Sequence, residues 1–242
     1  MEGKVKNSYE EVFKALSEQK GVEIKPEDLF EVGLDQIIRI DDTTIREGWK
    51  NLIENMNSSS NEKVFVRSHG RNGSGSEPLL QLLEAVFGRS FCLDKSNNSK
   101  PKSILKNAFK DIDYKDYQIS HIFEERTNNP LLFGAPWMVC YTPKIIDPFT
   151  GHESQGFPEF REKFVKWAYN KNEEYIKKYN DLIKNDYWPK LKSEFENPHY
   201  DYDEKFKTHM IAALAPIVLD YELQSRNDRI KNYKKMFDDI IT

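Results

Sequence analysis

Two hydrophobic periods run along this chain. Over residues 8–20, Val12, Phe13 and Leu16 share one face at helical spacing and Gly21 stands just past the end, which predicts a short amphipathic helix. Ile45, Trp49, Leu52 and Ile53 repeat that spacing and predict a helix over 43–56, followed by a polar SSSNE loop. A brief strand, KVFVRS, is expected at 63–68. The glycine-rich stretch HGRNGSGS at 69–76 then leads into a helix, EPLLQLLEAVFG, with Ser76 expected as N-cap and Pro78 in the first turn. Residues 94–103 are polar and predict a loop, and 103–110 a short helix.

The period shortens in the middle of the chain. YQISHIF at 117–123 and WMVCYTPK at 137–144 read as strands, separated by a loop of turn formers, ERTNNPLLFGAP. From Pro158 the helical spacing returns. Phe160, Phe164, Trp167 and Ala168 make an apolar stripe that Tyr175, Ile176, Tyr179 and Ile183 continue. A last helical stretch, 203–240, carries the apolar run MIAALAPIVL, which Pro216 is expected to kink or split. That run is a candidate for core or for an interface.

The fold class these patterns predict is α+β: helix-rich, with a small central β-hairpin or sheet. Three segments follow: an N-terminal helical region (1–60), a basic segment with the central strands (61–157) and a C-terminal helical region (158–242). All three can pack as one compact domain.

Composition narrows the classes. With 38% hydrophobic and 13% aromatic residues among 242, the chain can build a core without disulfide staples. Cys92 and Cys140, far apart in sequence, read as half-buried thiols in a reducing cytoplasm. No apolar run approaches the roughly 20 residues that span a bilayer, so no membrane is expected. The opening MEGKVKNSYEEVF lacks the apolar core of a secretory signal. The net charge is -4, but unevenly spread: residues 63–110 carry 9 basic and 3 acidic side chains. An acidic protein with a local basic segment can hold a polyanion, because binding follows the local field.

Candidate chemistry concentrates in 117–153. A histidine ends the first strand, an asparagine pair sits in the loop, a second strand and a turn follow, and another histidine precedes a helix. Phosphodiester cleavage needs a base to activate water, a metal to offset phosphate charge, and a group that holds the base in the right tautomer. The stretch resembles the HNH, or ββα-metal, nucleases. Ser120-His121-Ile122 stands where that family has its Asp-His-Ile or His-His dipeptide. Thr142-Pro143-Lys144 resembles the Thr-Pro-Lys of colicin-type DNases, and His152 stands near the family's last histidine.

The resemblance covers about 40 to 50 residues and implies a sheet of ββα-metal type. It implies that His121 is the general base, that His152, with Asp147, holds a divalent metal ion such as Mg²⁺, and that Asn128 or Asn129 braces the loop or the base. Serine replaces the family's metal-binding aspartate before His121, and the asparagines fall earlier than the family's middle asparagine.

The chain as a whole looks like a bacterial restriction or defence endonuclease acting on double-stranded DNA, with a homodimer expected by analogy with two-fold symmetric sites. Arg67, His69, Arg71 and Lys144 are the candidate DNA contacts. Tyr187, Trp188, Tyr200 and Tyr202 are candidates for stacking on bases or for the core, while His199 and His209 read as structural. The alternative is a non-catalytic helical module that binds nucleic acid or protein through the basic segment.

Overall fold

The computed structural model describes residues 8–57, 62–69, 75–94, 96, 98–110, 114–123, 126–146 and 158–239. Helices α1 (Ser8–Lys20) and α2 (Pro26–Asp35) lead through the two-residue strand β1 (Ile38–Arg39) into α3 (Asp42–Asn57). Strand β2 (Phe65–Arg67), helix α4 (Ser76–Phe87), strand β3 (Cys92–Asp94) and helix α5 (Ser99–Ala108) follow. Strands β4 (Tyr117–His121) and β5 (Val139–Pro143) enclose the short helix α6 (Pro130–Phe133). The rest is helical: α7 (Pro158–Leu182), α8 (Trp188–Glu196), α9 (Glu204–Ala213), α10 (Leu219–Glu222) and α11 (Arg226–Asp239).

The architecture is helix-rich α+β. Strand β5 lies between β1 and β4, antiparallel to both, while β2 and β3 form a separate parallel pair. Val139 and Cys140 are fully buried, so the middle strand is covered on both faces, and the strands read as apolar runs rather than as clean alternation. One apolar cluster gathers residues from all three sequence segments, among them Phe30, Ile45, Leu79, Phe160 and Phe237.

Several expectations are corrected. Ser76 is the first residue of α4 and not its cap. Its hydroxyl instead accepts from the His69 amide and donates to the His69 carbonyl, closing the glycine-rich turn on itself. The expected polar loop at 94–103 contains the end of β3 and most of the first turns of α5. There the Asp94 carboxylate accepts from the amides of Ser96 and Lys100 and so ties strand to helix. The long helical stretch after Pro158 is interrupted by a π turn at Ile183–Tyr187. Pro189 explains the interruption, since it lacks the N–H that a continuous helix would place there.

Pro216 does split the last stretch, and the apolar run around it is core: Met210, Ala213, Leu214, Ala215 and Ile217 are fully buried. Once α9 stops at Ala213, the next carbonyls lose their helical donors and must find others. Asn129 Nδ2 donates to Ala213 O, Tyr179 Oη to Ala215 O, and Asn180 Nδ2 to Ile217 O. The guanidinium of Arg126, fully buried, donates to Ala215 O and to Pro216 O. The same group pairs with Glu222 at 2.5 Å and donates to Tyr233 Oη at 2.7 Å, and Glu222 also takes Arg229 at 3.2 Å. Burial opposes both charges, yet Tyr233 and Glu222 hold Arg126 charged, and Arg126 and Arg229 keep the Glu222 carboxyl below its ordinary range.

Breaking one partner of such a pair leaves a charge stranded. Arg126→Met is therefore expected to cost about 3–5 kcal/mol in urea unfolding, a loss larger than that of any surface arginine. A loss below about 1 kcal/mol, the range of an exposed pair, would show that the network is not a stabilising core.

Candidate functional site

His121 is the last residue of β4 and sits opposite Val139, the first of β5. Its ring lies nearly parallel to that of Phe133 in α6, with centroids 5.8 Å apart. Both ring nitrogens are buried and have no hydrogen-bond partner among the described residues. Burial, and secondarily the charge of Arg67, push the pKa of His121 down to about 4, so the imidazole is neutral at physiological pH.

The two asparagines divide their labour, and neither braces His121. Asn129 is buried and caps α6: its Oδ1 accepts from the Leu131 amide while its Nδ2 serves Tyr179 Oη and Ala213 O. Its carboxamide is therefore spent on structure, and the proposed catalytic role for Asn129 is corrected to that of a clamp. Asn128 Nδ2 donates to the Arg67 carbonyl at 2.7 Å, and its Oδ1 lies 2.9 Å from Nε2 of His209. Because Nδ2 is the donor to Arg67, Oδ1 is the acceptor, so His209 carries its proton on Nε2 and keeps a lone pair on Nδ1. Asn128 thus holds an imidazole in one tautomer, but the imidazole is His209.

His209, which the sequence reading set aside as structural, has a second companion. Its ring lies 4.4 Å, centroid to centroid, from that of His69. Burial, then His69 and Arg226, lower its pKa to about 4. The two rings line an open groove of about 430 Å³, together with Gly75, Pro78, Tyr202 and Phe206. A glycine is required at 75, since a Cβ there would lie 2.6 Å from Cδ2 of His69. No pattern in the sequence marks His209, because its partners stand 81 and 140 positions away.

The other candidates scatter. Arg67 ends β2 with an exposed side chain, and its amide donates to Thr127 O. Lys144 is exposed beside Asp116, at 3.8 Å. It follows the end of β5 that pairs with Tyr117, so it stands at the far end of the hairpin from His121, on the order of 15 Å away at strand spacing. Asp147, His152 and Arg71 lie outside the described residues. Tyr187 and Trp188 belong to the core. Among the described residues, no three His, Cys, Asp or Glu side chains converge as a metal ion would require. No helix among them is long and apolar enough to cross a membrane.

These elements define a helix-rich α+β protein in which a central hairpin and the C-terminal helices meet around a histidine–asparagine cluster. The chain belongs to the family described as "Uncharacterised protein PM1201", which matches residues 40–219. It is similar to the "Uncharacterized protein PM1201" of Pasteurella multocida (strain Pm70), at 34% identity over 180 residues, covering 72% of this chain and 80% of that one. No solved structure matches it.

Two imidazoles held neutral make stability fall in mild acid. Each has a folded pKa of about 4, below the ordinary 6.5, so the unfolded chain takes up protons that the folded chain refuses. Their contribution is complete above the unfolded value and is lost as pH falls from there towards the folded one, at up to about 1.4 kcal/mol per pH unit for each ring. Urea unfolding at a series of pH values should show this loss, with the slope about halved in His121→Gln. A flat profile between neutral pH and about 5 would contradict the neutral-imidazole assignment.

Proposed function

We propose that the protein is a metal-dependent endodeoxyribonuclease of the HNH type, with His121 as its general base. The observation that carries this reading is a neutral, partnerless imidazole closing the first strand of an antiparallel hairpin, with a guanidinium beside it and a long helix after the second strand. A buried imidazole without partners is costly, and native structures retain such groups where something other than stability requires them. A neutral ring can accept the proton of an attacking water while the P–O3′ bond of the phosphodiester breaks, and Arg67 is the nearby cation able to meet the phosphate.

A divalent ion, when bound, would offset the charge that develops on the phosphate. The residues the resemblance offers for it, Asp147 and His152, lie outside the described residues. The described ones supply no cluster that fits the ion. Double-stranded DNA is the substrate this reading implies, and Lys144 and Arg71 remain its proposed backbone contacts. A dimer rests on analogy alone, since the apolar run at 210–219 is largely spent on the chain's own core.

One observation favours the second reading, a non-catalytic module that binds nucleic acid or protein: both nitrogens of His121 are covered by the chain itself. Incubation with supercoiled plasmid in Mg²⁺ or in EDTA separates the two. The nuclease reading expects nicked or linear products with Mg²⁺ only, and loss of at least about 100-fold in rate for His121→Ala with DNA binding retained. A gel shift without cutting in any divalent metal, or cleavage by His121→Ala at the parental rate, would overturn it.

A further inference from the structure

The groove beside His209 is lined by more rings than a packing accident needs. Tyr200 and Tyr202 stack with centroids 5.7 Å apart and planes 19° apart, and Tyr202 stacks on Phe206 at 5.4 Å and 23°. Phe206 meets His69 edge-on at 5.7 Å, and His69 leads to His209. The row therefore runs from solvent to the groove floor. Its outermost member, Tyr200, is 42% exposed although one face is covered by Tyr202.

Polar groups along the row are mostly acceptors. His209 presents the Nδ1 lone pair fixed by Asn128, and Asp201 adds a carboxylate. Lys205 supplies a cation. The hydroxyl of Tyr202 is buried and has no hydrogen-bond partner among the described residues, an unmet need in a residue that lines the groove.

A flat ring that stacks on tyrosine and brings its own N–H donors would satisfy these groups together. We propose that this groove binds an unpaired nucleobase of a single-stranded nucleic acid. The base extends the stack on the Tyr200–Tyr202 row, gives its exocyclic amino protons to Asp201 and His209, and sets its phosphate near Lys205. Adenine and cytosine carry such amino groups and thymine does not, so the groove prefers the former. The proposal goes beyond hydrolysis and does not depend on it.

The test is fluorescence anisotropy with end-labelled oligonucleotides in EDTA, where metal-dependent cleavage is blocked. The arms are dA, dC and dT tracts, the matching RNA tracts and a duplex. Single-stranded dA and dC, or their RNA counterparts, should bind more tightly than dT, and the better of the DNA and RNA arms identifies the source. Tyr200→Ala, at an exposed position, should weaken binding by about tenfold, while Tyr200→Phe restores it. Asp201→Asn should erase the preference for amino-bearing bases. Binding of the duplex alone, no binding of any single strand, equal binding of dT, or an unchanged affinity in Tyr200→Ala would each overturn the proposal, whether or not the plasmid assay shows cutting.

Discussion

The fold depends on how the chain accommodates Pro216. A proline two turns short of the chain's last helices ends α9 early and leaves four successive stretches of backbone oxygen without helical donors. Each such group, buried and unmet, costs about 1–3 kcal/mol. The donors come from three directions: Arg126 and Asn129 from the hairpin connection, and Tyr179 and Asn180 from α7. The requirement of a broken helix thereby fixes the segment 126–129 against α9. Asn128 reaches His209 because Arg126 and Asn129, on either side of it, are anchored to the segment that follows that histidine's helix.

Burying Arg126 brings its own requirement. A guanidinium with no anion would not remain charged in this interior, and Glu222 and Tyr233 supply the counterpart from α10 and α11. The matched family span ends at 219, so Arg126 lies within it while Glu222, Arg229 and Tyr233 lie beyond. The last helices thus complete an electrostatic arrangement begun in the loop between β4 and β5.

Much of this was legible in the sequence where a helix is long and one-sided. The stripe from Phe160 to Ile183 and the spacing of Ile45, Trp49 and Leu52 gave α7 and α3 directly. Helix α2 escaped notice because only Phe30 and Gly33 of its ten residues are buried, too few to set a period. Strands β1 and β3 have two and three residues, below the length at which alternation can be counted. In the site, the strand-end position of His121 was visible, since the alternation of YQISH announces it. The pairing of Asn128 with His209 was not, because an asparagine before Asn-Pro reads as turn chemistry and the partner stands 81 positions on.

The basic excess over 63–110 also looks different once side chains are placed. Arg89 donates to the carbonyls of Asn55 and Glu62, so part of that charge secures the end of α3 and does not form an open face for a polyanion. Arg67 is the member of the group whose position has consequences at two places. Its exposed guanidinium helps to keep His121 neutral, and its carbonyl holds the amide of Asn128. The end of β2 therefore joins the hairpin imidazole to the groove imidazole through one residue. A change in the backbone there would move the support of His209 and the charge felt by His121 together, which is why neither histidine can be understood from its own strand or helix alone.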